Sequence, residues 1–131
     1  MEELPIRSGD DVVRVRQQVR VVAERSGLSL VDQTKLVTAA SELARNALIH
    51  GGGGTARLEV VTSVNGRGGV RIEFADEGPG IGDIDLALTD GWTTGGGLGL
   101  GLSGARRLVD EFELTSKSGS GTSVVVTKWS R

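Results

Sequence analysis

Glu42 and Asn46 stand four residues apart in Ser41-Glu42-Leu43-Ala44-Arg45-Asn46-Ala47-Leu48-Ile49-His50-Gly51. On a helix that spacing stacks a carboxylate and an amide on one face, a turn apart. A carboxylate can accept a proton, and an amide oxygen can ligate a hard cation such as Mg²⁺. Two glycine-bearing segments follow: Asp76-Glu77-Gly78-Pro79-Gly80-Ile81 and Gly95-Gly96-Gly97-Leu98-Gly99-Leu100-Gly101-Leu102. Together the three describe a nucleotide pocket able to run phosphoryl transfer.

Each segment also has a plainer reading. Asp76 follows a strand, where an acid can accept a charge-assisted hydrogen bond from an adenine amino group, worth about 1.5–3 kcal/mol; Asp, Gly and Pro are equally common in turns. Gly99-Leu100-Gly101-Leu102-Ser103-Gly104 fits G-x-G-x-x-G, but no clear strand leads into it and no acid closes a second strand about 20 residues on, which argues against a dinucleotide fold. A P-loop is absent. A glycine-rich loop running into a helix still offers backbone N–H groups to phosphates, as a lid over a nucleotide. Gly121-Thr122 either brings a hydroxyl to the base pocket or belongs to a hairpin. His50 at a helix end favours contact with the last carbonyls. Arg45 is expected on a different face, toward solvent or a partner, and Trp92 suggests a partner surface.

The elements that must position these residues are legible from periodicity. Leu4 to Arg7 reads as a short strand. Ser8 or Asp10 caps a helix to about Arg25 with Val12, Val15, Val19 and Val22 as its apolar stripe. Ser29 caps the next helix, with Asp32 three residues on, like a capping box with a shorter acid. Leu36, Ala40, Leu43 and Ala47 form its buried stripe, which leaves Glu42, Asn46 and His50 at the rim; Gly51 to Gly54 stop it. Leu58–Val64 and Val70–Ala75 read as an antiparallel pair around Asn65-Gly66. A helical turn is expected within Ile81–Leu88. Leu102, Ala105, Val109 and Phe112 suggest a third helix from near Gly101. Phe112–Ser116 and Ser123–Trp129 suggest a last hairpin. The expected fold class is α+β, a two-layer sandwich of a mostly antiparallel sheet with helices on one face.

Composition bounds the function. The 131 residues fit one domain, 1–131, with no repeat or linker. A net charge of -2 gives no bulk attraction to nucleic acid or an anionic membrane. With no cysteine and one histidine, disulfide chemistry is excluded and a zinc site is disfavoured. No long apolar run or signal peptide is visible, so a cytoplasmic location is expected. The 21 glycines, roughly twice the usual share of about 7%, cluster between periodic segments and so belong to loops.

The ordered set of motifs resembles the GHKL ATP-binding superfamily of gyrase and MutL ATPases, a heat-shock chaperone and histidine kinases. Glu42 to Asn46 resembles its N-box, Asp76 to Gly80 its first glycine box, and Gly95 to Gly101 its second, with Gly121-Thr122 at the place of its Gly-Thr pair. Nearly end to end, the chain is similar to the serine/threonine kinases of bacterial partner-switching systems, most specifically at Val31-Asp32-Gln33, Ser41–Asn46, Asp110-Glu111-Phe112 and Lys128-Trp129-Ser130-Arg131. His50-Gly51 is closer to the anti-sigma-factor kinases of the same branch.

The resemblance implies ATP and Mg²⁺ as cofactors. Glu42 would be the general base, Asn46 the Mg²⁺ ligand, and Asp76 the reader of adenine. Gly78 and Gly80 would admit the base, while Gly97, Leu98, Gly99 and Gly101 would wrap the phosphates and Thr122 would join the base pocket. STAS-domain scaffold proteins of the stressosome are the implied substrates, and a downstream phosphatase or cyclase-type protein the implied output. An anti-sigma factor kinase that binds a sigma factor is the first alternative. A non-catalytic, nucleotide-gated binding module is the second, against which the acid at Glu42 argues.

Overall fold

The computed structural model describes residues 2–78, 101–116, 119 and 121–131. Strand β1 (Glu2–Ile6) leads into helix α1 (Gly9–Arg25) and then helix α2 (Leu30–Ile49). Strands β2 (Gly54–Thr62) and β3 (Gly68–Asp76) follow. After the intervening segment come a short helix α3 (Gly101–Arg107) and strands β4 (Glu111–Ser116) and β5 (Thr122–Trp129). The strands form one sheet in the order β1-β2-β3-β5-β4, and every neighbouring pair is antiparallel. The expected α+β sandwich is therefore the observed one.

Local chemistry accounts for the helix starts. The Ser8 hydroxyl accepts from the Asp11 N–H at 3.3 Å, and Ser29 accepts from the Asp32 N–H at 3.1 Å, each satisfying a donor that the helix leaves orphaned. Val12, Val15, Val19 and Val22 of α1, and Leu36, Ala40, Leu43 and Ala47 of α2, are all buried. They pack on the sheet face formed by Ile6, Ala56, Leu58, Val70, Ile72, Phe74, Val124 and Val126. Full burial of one such branched side chain is worth about 1.5–3 kcal/mol.

The hairpin between β2 and β3 turns at Gly66, whose φ of 85° lies in the left-handed region that glycine enters without strain. Strand β2 begins at Gly54, earlier than its β-branched residues suggest. Gly54 is drawn into the ladder between Ile6 and Asp76, and an added Cβ there would run into the Ala75 carbonyl. The third helix ends at Arg107. Val109 and Phe112 are therefore not part of its stripe, because the Asp110 N–H already donates to the Thr127 carbonyl and commits the chain to the sheet.

Alternation along β5 has a further effect. Val124 and Val126 point to the helices, so Lys128 must as well, and its side chain is only 5% exposed. Its ammonium lies 3.6 Å from an Asp32 oxygen at the start of α2 and 3.5 Å from an Asp110 oxygen before β4. Arg131 also faces both acids. Asp32 thus serves as an ion-pair partner across the core edge beyond its place in the cap. Among the described residues, no helix is long and apolar enough to cross a membrane.

Candidate active site

The site residues lie where α2 ends against one end of the sheet. Glu42 and Asn46 share the rim of α2, both partly buried, as the stripe beside them dictates. A rise of about 1.5 Å per residue puts Asn46 roughly 6 Å and Glu42 roughly 12 Å along the axis from the C-cap at His50. Arg45 does not turn away from this face. Its Nη1 lies 3.2 Å from Glu42 Oε1, because residues three apart are neighbours on a helix surface. The Glu42 side chain is 13% exposed and that of Arg45 50%, so the carboxylate sits in the wall and the guanidinium reaches over it from solvent. His50 caps α2, its backbone N–H donating to the Asn46 carbonyl at 2.9 Å.

Asp76 closes β3. It is register partner to Gly54 on one side and Thr122 on the other. It continues the inward row of Val70, Ile72 and Phe74, so its carboxylate points to the helix layer beyond the end of the apolar core. Asp76 Oδ1 accepts from the Gly78 N–H at 2.9 Å. That bond is an Asx turn, so the turn chemistry legible in the motif is present.

Three glycines enclose this acid. A Cβ on Gly51 would fall onto the Asp76 carboxyl carbon and 2.5 Å from its Cβ. One on Gly78 would lie 2.6 Å from the Gly51 Cα. One on Gly121, whose φ is 87°, would strike the Asp76 carbonyl. The absence of side chains lets three backbone segments close on this carboxylate. Thr122 lies beside it with its hydroxyl 3.0 Å from Ser116 Oγ. Ser116 donates its single hydroxyl hydrogen to the Gly121 carbonyl at 3.1 Å, so Thr122 is the donor in the pair and keeps its lone pairs for other donors.

The structure therefore places Asp76, Gly78 and Thr122 together, with Asn46 roughly 6 Å and Glu42 roughly 12 Å back along α2 from its C-cap. Gly101, with φ of 67°, begins α3, which packs on α2. Gly80, Gly97, Leu98 and Gly99 lie outside the described residues, as do Trp92 and the helical turn expected within Ile81–Leu88. Gly51 and Ser116 lie against the candidate site without having been expected there. Gly51 stood out in the sequence only as a helix stop and, with His50, as a likeness to the anti-sigma-factor kinases, and Ser116 gave no signal. A groove of about 550 Å³ on the opposite face of the sheet, between Arg71, Val125 and Trp129, shares no residue with this site.

Residues 31–130, from α2 through β5, match the model of the histidine kinase-, DNA gyrase B- and HSP90-like ATPase family. The chain belongs to that family. Within this ATPase family it is RsbT-like. It is 46% identical over 121 residues to the serine/threonine-protein kinase RsbT of Bacillus subtilis, covering 92% of this chain and 90% of that one. It is 30% identical over 117 residues to an anti-sigma F factor of a Thermoanaerobacter species, covering 87% and 82%. The fold alone is shared with the solved RsbU and RsbW domains of a Mycobacterium tuberculosis protein. That match has a TM-score of 0.65 at 23% identity and takes in all of this chain but 33% of the other.

Proposed function

We propose that this chain is an ATP- and Mg²⁺-dependent protein serine/threonine kinase of a partner-switching system, with STAS-domain scaffold proteins as its substrates. One observation carries the reading. The helix that bears Glu42 and Asn46 ends directly against Asp76, so a single rigid element sets the distance between the base-reading acid and the reacting end of a nucleotide.

In this reading Asp76 takes the adenine amino group, and Thr122 offers acceptor lone pairs beside it. Asn46 would hold Mg²⁺, which neutralises charge on the transferring phosphoryl group when bound. Gly80, Gly97, Leu98, Gly99 and Gly101 would line and wrap the nucleotide. The substrate hydroxyl oxygen bonds to the terminal phosphorus as the bond from phosphorus to the ADP oxygen breaks, and Glu42 receives the hydroxyl proton. Such transfer is mainly positioning and charge stabilisation, which one acid, one amide and backbone donors can supply. Phosphorylation then releases the kinase from the scaffold to activate a phosphatase or cyclase-type output protein, all within the cytoplasm.

The test is transfer of labelled phosphate from ATP to a STAS-domain scaffold protein. Wild type labels a serine or threonine, and Glu42→Ala lowers the rate at least a hundredfold with ATP affinity kept within threefold. Equal labelling by both proteins rejects Glu42 as base. The similarity to anti-sigma F factors supports a second reading, in which the bound partner is a sigma factor. Co-purification with a sigma factor and with no STAS protein would select it.

A further inference from the structure

We infer that Gly51 is a positioning residue for Asp76: its bare Cα is the seat of the acid's carboxylate, and any side chain there turns that carboxylate away from the base. The inference rests on the proposed role of Asp76.

The backbone does not explain why position 51 is glycine. Gly52 and Gly53 have φ of 71° and 110°, in the left-handed region, and Gly51 does not. What excludes a side chain is contact. An added Cβ would meet the Asp76 carboxyl carbon and Cβ and lie 2.7 Å from the Ala47 carbonyl oxygen.

The surroundings decide which atom yields. Ala47 is fixed in α2, and its carbonyl accepts from the Gly51 and Gly53 N–H groups at 3.1 and 2.9 Å. The Asp76 backbone is held by its neighbours in β2 and β5, with Gly121 pressed against its carbonyl. Gly78 closes the far side, its own Cα hydrogens facing the Gly51 backbone while its N–H holds Asp76 Oδ1. Rotation of the Asp76 side chain clears only its carboxyl carbon and breaks the bond to Gly78. The contacts with Asp76 Cβ and the Ala47 carbonyl oxygen persist, so Gly51 and Asp76 must also move apart, and both movements re-aim the acid. Nucleotide selectivity is thereby set by a residue at the end of α2 with no functional group of its own.

Kd values for ATP and GTP, measured by calorimetry on wild type, Gly51→Ala, Asp76→Asn and the double variant, test this. Gly51→Ala is expected to weaken ATP binding at least tenfold and GTP binding less than threefold. Added to Asp76→Asn, it should cost no further ATP affinity. Equal loss for both nucleotides, or wild-type selectivity, overturns the inference. Wild-type ATP affinity in Asp76→Asn would instead sink the base-site reading, so the two failures are distinct. If Gly51→Ala does not fold, Gly51→Ala/Asp76→Gly decides. Recovery of the fold on making room supports the contact with Asp76, and a double variant that stays unfolded where Asp76→Gly alone folds rejects it. Gly9→Ala, where a Cβ meets nothing within 4 Å, should behave as wild type.

Discussion

Arg45 spans the mouth of the wall that holds Glu42, its Nη1 3.2 Å from Glu42 Oε1. The proposed base is thus presented with a cation already beside it. A helical i,i+3 ion pair is worth only about 0.2–0.5 kcal/mol, so it restrains the carboxylate without fixing it.

Arg45→Met is accordingly expected to change the rate of transfer by less than about threefold and stability by about 0.5 kcal/mol at most. Steady-state kinetics with the protein substrate check this. A hundredfold fall in kcat with unchanged ATP affinity would mean that Arg45 acts directly on the substrate or the phosphoryl group.

Asn46→Ala removes the side-chain oxygen proposed to hold Mg²⁺. The Mg²⁺ concentration giving half-maximal transfer should rise about tenfold, a loss of about 1.4 kcal/mol. Nucleotide affinity measured in EDTA should stay within twofold. An unchanged Mg²⁺ requirement would remove Asn46 from the metal site.

Among the described residues, Lys128→Met leaves Arg131 as the cation facing Asp32 and Asp110. Breaking a buried pair costs about 3–5 kcal/mol, but the remaining guanidinium tempers it here, so a loss of about 2 kcal/mol is expected. At roughly 4 °C per kcal/mol, Tm falls by about 8 °C. Because the cluster lies at the end of β5 remote from Thr122, ATP affinity should not follow Tm down.

The same cluster sets an acid limit. Burial alone would raise the Asp110 pKa, but the Trp129 N–H bond at 2.8 Å and the charges of Lys128 and Arg131 outweigh it and hold the carboxyl below its ordinary value. A depressed folded-state pKa means ionised Asp110 stabilises the fold above the unfolded value of about 3.9. That contribution fades as pH falls through the lower folded value. Tm curves of wild type and Asp110→Asn should therefore lie apart at pH 7 and converge below about pH 4. Parallel curves down to pH 3 would contradict this.

These features were unequally legible in the sequence. The valine stripe of α1, the stripe of α2 and the serine caps are signals carried within a few residues, and both helices formed where those signals placed them. The pair Glu42 and Asn46 was readable for the same reason. Arg45 is exposed as expected, but its contact with Glu42 was not foreseen, because its sequence position between the two site residues hid an ordinary helical neighbour. Gly54 read as a helix stop because nothing nearby reveals that Ile6 and Asp76 will claim it. Likewise the stretches around Asp32, Asp110 and Lys128 each look local, and only the sheet order brings their charges together. Gly51 is the extreme case, since its constraint comes from a side chain on a different element.

Asp76 and Thr122 are direct partners in the ladder, yet all of α3, β4 and the glycine-rich stretch separate them along the chain. The chain between them must close before the proposed base end of the site exists, and closure of long loops slows the assembly of non-local sheets. During synthesis, the helix bearing Glu42 and Asn46 emerges well before β5 can dock. The proposed nucleotide site thus depends on a pairing that only a chain synthesised as far as β5 can make.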